Sequence, residues 1–304
     1  MSSVIFSWCG RMKRNKKVKY RVISLISVLG FILCTVALLY PVVSDRWNRY
    51  RDAKLVTNYN AKISDSDKSE LEVILQEAVE YNKQLKLQGR DIVTDADYEP
   101  DDYYETLLNL TGNSMMGYVE IPKIDVTEPI YHYSHEISLG KGIGHIHGSS
   151  LPVGGKSTHS VLTGHRGLPN QKFFSDLDKV SIGDKFYIHV LGTVLAYRIY
   201  DIQEIEPHQV EILKIQDDRD LMTLVTCTPY GVNTERLLVM GERISVEELE
   251  LDEDGDVIIE GHEVVIDPAV WVFTGFMTFI FLIFFSTLIR NIIYYRKKKK
   301  GGSG

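Results

Sequence analysis

The chain has 304 residues, with 34 basic and 41 acidic side chains and only three cysteines. The bases are concentrated at the ends: seven lie before residue 22 and six after residue 289, with no acid in either flank, leaving 21 basic against 41 acidic residues between them. A middle of formal charge −20 excludes nucleic acid as a partner and suits a domain held off an anionic membrane surface.

Residues 1–21 form a basic tail carrying Arg11, Lys13, Arg14, Lys16, Lys17, Lys19 and Arg21. Residues 22–43 are almost continuously apolar and carry no charge, which is the length and composition of a membrane-spanning helix. The apolar run exceeds the usual core of a signal peptide, and Tyr40-Pro41-Val42-Val43 lacks an A-x-A-like cleavage site. Residues 44–112 read as an external helical region. Leu71, Ile74, Leu75, Ala78, Asn82 and Leu85 follow helical spacing, with Asn82 breaking the apolar stripe. Asp67 with Glu70 is a candidate capping box, and Gly89 a candidate C-cap. Asp91 to Asp102 is acidic and irregular, with a break at Pro100.

From Met116 the pattern turns to short strands, predicted at 117–121, 129–133, 160–164, 185–190, 194–205, 221–227 and 236–241. Strands of this length and spacing predict a β-barrel or sandwich over residues 113–246. Residues 247–268 read as an acidic linker. Within it Asp252-Glu253-Asp254-Gly255-Asp256 resembles the start of a calcium loop but lacks the later glutamate, so it reads as a solvated turn. Residues 269–289 form a second uncharged apolar segment and 290–304 a second basic tail; the closing Gly-Gly-Ser-Gly carries no argument. Positive flanks stay cytoplasmic, so the expected topology is two-pass, with both termini inside and the middle outside.

Three residues carry chemistry. Cys227 ends the buried-strand pattern Leu221-Met222-Thr223-Leu224-Val225-Thr226-Cys227, followed by Thr228-Pro229-Tyr230-Gly231. Cys9 lies in the tail and Cys34 in the first span, so Cys227 has no disulfide partner in the external domain. A free external thiol is either buried and inert or used. Thr163-Gly164-His165-Arg166-Gly167 places a histidine in a glycine-flanked turn, and Arg236 opens the strand Leu237-Leu238-Val239-Met240. Together they supply a nucleophile, a proton carrier and a permanent positive charge.

Other residues have plainer readings. Arg166 reads as solvated or substrate-adjacent rather than catalytic. His145-x-His147, with His159 and His165, has neither a spaced acid nor an HExxH pattern, so no metal is expected. His132, His135, His189 and His208 read as surface or strand histidines, and Asp184 as a turn residue. Arg243, seven residues beyond Arg236, falls on the opposite strand face.

The stretch from Met116 to Arg243, about 40% of the chain, resembles the sortases, cysteine transpeptidases of Gram-positive cell surfaces. The resemblance rests on Thr163-Gly164-His165-Arg166-Gly167-Leu168-Pro169, on Thr223-Leu224-Val225-Thr226-Cys227, and on Asn233-Thr234-Glu235-Arg236-Leu237-Leu238-Val239. Gly144-His145 and Gly148 to Gly155 resemble the segment preceding the histidine strand. The second span is similar to the pilus-building class C; housekeeping sortases usually carry one N-terminal anchor.

The resemblance implies a mainly β fold: an eight-stranded barrel with N-terminal helices, flanked by two transmembrane helices. It implies attack by the Cys227 thiolate on the Thr–Gly carbonyl of an LPxTG-like sorting signal, proton transfer by His165, and oxyanion or backbone binding by Arg236. The acyl-enzyme would pass to a pilin lysine amine, and no cofactor is involved. Two other functions stand beside this one: anchoring of surface proteins to wall peptide amines, and a non-catalytic membrane-tethered binding module. Class C members commonly carry an Asp-Pro-aromatic lid, and this chain has no such tripeptide. Asp97-Tyr98-Glu99-Pro100 sits in the corresponding place, where Asp97 would contact Arg236 and Tyr98 would stack on Cys227; the same residues also read as an ordinary acidic linker.

Overall fold

A computed structural model of the chain describes residues 2–89, 101–134, 136–168 and 171–245, together with residues 275, 280 and 286. The second apolar segment, the acidic linker, His135 and the pair Asp97 and Tyr98 fall outside the described residues.

Helix α1 is continuous from Ser2 to Asp65, so the first apolar segment and the first part of the external helical region form one helix. Its apolar window within Ile26–Asp65 has a mean hydropathy of 2.4, and none of that window is buried. This is one helix long and apolar enough to cross a membrane. Beyond it the exposure changes. Asp52 and Tyr59 are buried, and Val56 and Ile63 pack with Met115, Tyr118 and Tyr131 of the barrel. The Tyr59 hydroxyl donates to the Met116 carbonyl at 2.9 Å and accepts from the Leu191 N–H at 3.0 Å.

Helix α2 spans Lys68–Gln88 and ends on Gly89 in the left-handed conformation (φ 57°) that glycine adopts without a Cβ penalty. The expected capping box does not form: Asp67 is extended, but its side chain makes no capping bond. Asn82, the break in the apolar stripe, is buried because it replaces a strand partner. Its amide donates to the Leu151 carbonyl at 3.1 Å and its oxygen accepts from the Leu151 N–H at 2.7 Å. A buried amide is tolerated only when so paired. Helix α3, Asp102–Thr106, starts at Asp101, whose carboxylate accepts from the N–H groups of Tyr103 and Tyr104. A short helix α4 spans Glu136–Leu139.

Eight strands follow: β1 Met115–Ile121, β2 Val126–His132, β3 Ile143–His145, β4 Thr158–Thr163, β5 Lys185–Val190, β6 Thr193–Ile205, β7 Asp220–Thr228 and β8 Glu235–Arg243. They close into a barrel in the order β1-β2-β3-β4-β7-β8-β6-β5. The pairs β2–β3 and β4–β7 are parallel and the rest antiparallel. Seven of the eight match predicted strands within a few residues. The eighth, β3, is only three residues long and too short to show alternation. The interior is filled by inward side chains including Ile121, Ile130, Leu162, Phe186, Leu224 and Val239, all fully buried.

Candidate active site

Cys227 lies at the end of β7, directly opposite Arg236 at the start of β8. On the other side, β4 runs parallel to β7 with Thr163 opposite Val225. The chain continues that pairing past the strand end: the Gly164 N–H donates to the Val225 carbonyl at 3.1 Å, and the Thr226 hydroxyl donates to the Gly164 carbonyl at 2.8 Å. Two residues on, the same register brings His165 to the level of Cys227. The three residues singled out from the sequence therefore occupy three neighbouring strands or strand ends, with the thiol in the middle. Cys227 is partly exposed and is not in a disulfide.

The turn bearing His165 has little freedom. A Cβ on Gly164 would lie 2.6 Å from Ile143 Cδ1 and 2.8 Å from Phe174 Cδ2, so only glycine fits there. Gly167 has φ +80°, and its missing Cβ leaves room for the Tyr230 ring. The Phe174 N–H donates to the His165 carbonyl at 3.3 Å, and the Gly167 N–H donates to the Ser175 hydroxyl at 3.0 Å.

Arg166 departs from the solvated reading. Its side chain is only 6% exposed. The guanidinium donates to the Cys227 carbonyl at 3.4 Å, to the Thr228 hydroxyl at 3.2 Å and to the Asp178 carboxylate at 2.5 Å. Thr228 in turn donates to Glu204 on β6 at 3.1 Å. Arg166 thus ties the histidine turn to the backbone of the cysteine itself. Two guanidinium nitrogens, spaced apart on a rigid fork, serve the three acceptors. The sequence signal was present, an arginine beside the histidine, but its burial depends on a loop carboxylate twelve residues on.

Arg236 is held differently. One guanidinium nitrogen donates to the carbonyls of Asn233 and Glu235, both on its own turn. Arg243, at the other end of β8, lies over the Tyr197 ring at 5.7 Å, away from the thiol. Asp184 accepts from the Ser181 N–H and closes its turn, as expected.

The other histidines are structural. His145 is fully buried; it donates from Nε2 to the Ser150 carbonyl at 2.8 Å, so Nδ1 accepts from the Tyr104 hydroxyl at 2.6 Å. Burial pushes its pKa down to about 3. His159 is likewise pushed down to about 4 by burial, between the Lys214 carbonyl and the Thr223 hydroxyl. His132 is a strand histidine at the end of β2, buried and facing the Leu107 and Ser114 carbonyls. His147 sits 3.7 Å from Asp101. His132, His145 and His147, with Tyr104 and Tyr133, fasten the segment after residue 100 to the barrel. His189 pairs with Glu120 at 3.0 Å and the exposed His208 with Glu206 at 3.4 Å.

Residues 119–244 match the family model of the sortase domain. A solved structure of sortase C from Streptococcus pneumoniae is 42% identical, with a TM-score of 0.58 over 63% of this chain and 97% of that one. Sortase C1 from Streptococcus agalactiae is 40% identical, with a TM-score of 0.59 over 63% of this chain and 98% of that one. The chain belongs to the sortase family. Within the family it falls in class C. Sortases are cysteine transpeptidases, and a thiol flanked by an imidazole and a guanidinium is the equipment such chemistry needs. Among curated relatives, sortase A of Bacillus anthracis is 26% identical over 45% of this chain and 63% of its own length. The chain spans between about half and just under two thirds of the length of the first curated sortases it matches.

Proposed function

We propose that this sortase cleaves an LPxTG-like sorting signal through a thioester on Cys227 and passes the acyl group to a lysine amine of a pilin subunit. The observation that carries the reading is the placement of Cys227 between His165 and Arg236 at one end of the barrel. The Cys227 sulfur attacks the Thr–Gly carbonyl, forming an S–C bond. Arg236 donates to the oxygen that becomes negative, with a charge that neutral pH does not remove. His165 gives its proton to the departing glycine nitrogen as the C–N bond breaks. It then takes a proton from the incoming amine, which displaces the thiolate. Arg166 holds the histidine turn against the cysteine backbone and touches no reacting atom.

The pilin acceptor is favoured by the class, since the solved sortase C of S. pneumoniae bears on pilin substrate specificity. The first apolar helix and the basic flanks support a two-pass protein with its barrel outside. The deciding experiment incubates the enzyme with an LPxTG-like peptide and two acceptors, a pilin-derived lysine peptide and a wall-type peptide amine. A thioester at Cys227 and preferential transfer to lysine are expected. Preferential transfer to the wall amine would establish the anchoring alternative, and a thioester on another residue would sink the assignment of Cys227. A reporter after Lys300 that is accessible from outside would overturn the two-pass topology.

A further inference from the structure

Strand directions fix which end of the barrel holds the site. β1 runs toward the 3-10 turn at Pro122–Ile124 and β2 runs away from it. β3 is parallel to β2, β4 antiparallel to β3, and β7 parallel to β4, so β4 and β7 both run toward the Pro122–Ile124 end. His165 and Cys227 close those two strands, and Arg236 begins β8 beside them. The site and the Pro122–Ile124 turn therefore share one end. A contact confirms it: Lys172, in the loop after His165, donates to the Ile124 carbonyl at 2.7 Å.

Helix α1 is pinned along the barrel in a known direction. Arg49 pairs with Asp125, at the site end, at 2.6 Å. Ten residues later Tyr59 bonds to Leu191, in the β5–β6 turn at the opposite end, and Ile63 packs against Gly192 there. The chain thus arrives from the apolar segment at the site end and leaves at the far end. Helix is unbroken between the apolar segment and Arg49. Val43, the last apolar residue of that segment, is about 9 Å of helix axis before Arg49. Trp47 and Tyr50, both exposed, sit in that interval or beside it with Arg46 and Arg49, the residue types that anchor helices at a bilayer interface.

A second observation is independent of the helix. Among the described residues of the barrel, 115–243, the exposed large apolar side chains are Ile182, Tyr230 and Val232, at 66%, 63% and 64% exposure. Val232 and Tyr230 lie in the β7–β8 turn, and Ile182 lies just before β5, which starts at the site end. All three crown the end that holds the thiol.

We infer that the catalytic end of the barrel faces the lipid bilayer, held there by the rigid continuation of α1 and touching the interface through Ile182, Tyr230 and Val232. The thiol then sits at a fixed, small height above the bilayer. This rests on the transpeptidase reading above and adds the geometry of delivery.

The test uses the full chain in proteoliposomes. Seven helix-forming residues inserted between Ser44 and Asp45 lift the barrel by about 10 Å while keeping nearly the same helix face and leaving every barrel contact of α1 intact. Two substrates are compared: a soluble LPxTG-like peptide and the same signal fused to a membrane-spanning segment in the same vesicle. The insertion should leave cleavage of the soluble peptide unchanged and slow that of the tethered one at least tenfold. Equal cleavage of the tethered substrate by both enzymes overturns the inference. Failure of the native chain to cleave even the soluble peptide would strike the transpeptidase reading instead. A spin label at Ile182→Cys or Val232→Cys, with Cys9, Cys34 and Cys227 replaced, should be relaxed by a lipid-bound nickel chelate, whereas a label at Thr193→Cys, at the far end, should not. Stronger relaxation at residue 193 refutes the orientation.

Discussion

The two sides of Cys227 are built to different standards of rigidity. On the histidine side, Gly164 is wedged between Ile143 and Phe174, Thr226 and Val225 bond the turn directly, and Arg166 bridges from the turn to the cysteine carbonyl and to Asp178. On the arginine side, among the described residues Arg236 bonds to carbonyls of its own turn, and that turn carries exposed Tyr230 and Val232. A proton carrier must meet both a leaving and an entering nitrogen at one geometry, which the many bonds of the histidine side suit. The guanidinium is instead placed by the β7–β8 hairpin, through carbonyls of its own turn.

Four substitutions probe this contrast, ranked by their effect on turnover. Cys227→Ala should abolish thioester formation and transfer while leaving the melting temperature within a few degrees of the native value, since one sulfur at a strand end is lost. Arg236→Lys keeps the charge but loses the planar fork. Steady-state kinetics should show kcat lower by roughly a hundredfold with KM nearly unchanged; near-normal turnover would remove Arg236 from oxyanion binding. Arg166→Met should lower kcat on the order of tenfold by loosening the histidine turn, and should also lower thermal stability, because Asp178 and the Cys227 carbonyl lose their partner. If Arg166 only stabilises the fold, stability falls and kcat of the folded enzyme does not.

The fourth substitution lies away from both flanks, in the seam where α1 meets β2. There burial, and then the charge of Asp52, push the pKa of Glu128 from 4.5 up to about 8. The folded state therefore holds a proton that the unfolded chain releases above pH 4.5. This group's contribution to stability is greatest below that pH and falls as pH rises toward 8. Glu128→Gln should remove the fall, raising stability at pH 7 by roughly 3 kcal/mol, and should leave turnover untouched. Denaturant unfolding at pH 5, 7 and 8 reads the slope; parallel curves for native and variant would contradict the buried proton.

The barrel and the placement of Cys227, His165 and Arg236 at neighbouring strand ends were legible because each rests on local sequence. Cys227 and Arg236 sit on strongly patterned strands, and the glycines around His165 announce a tight turn. What escaped depends on contacts between distant segments. β3 is too short for its alternation to be seen. Asn82 breaks a helical stripe on paper and completes a hydrogen-bonded pair in space, because Leu151 lies beside it. Arg166 reads as solvated or substrate-adjacent, and its burial comes from Asp178 and the β7 backbone, which no local pattern announces. The boundary at residue 43 marked a change of composition, and the helix runs straight through it to Asp65 because nothing in Ser44 to Ser64 breaks helical hydrogen bonding.

The hydroxyl of Tyr59 accepts from the N–H of Leu191, 132 residues further along the chain, and donates to the Met116 carbonyl. A chain made from its N-terminus delivers this tyrosine before either partner exists. The anchor is thus in place first, with its docking face bare. The barrel can seat on it only once the β5–β6 hairpin has emerged, and the thiol gains its histidine only when β7 pairs with a strand threaded some sixty residues earlier. Closure of the barrel and the alignment of Cys227 with the end of β4 both wait on the C-terminal strands, so a chain that stops short of β7 has neither.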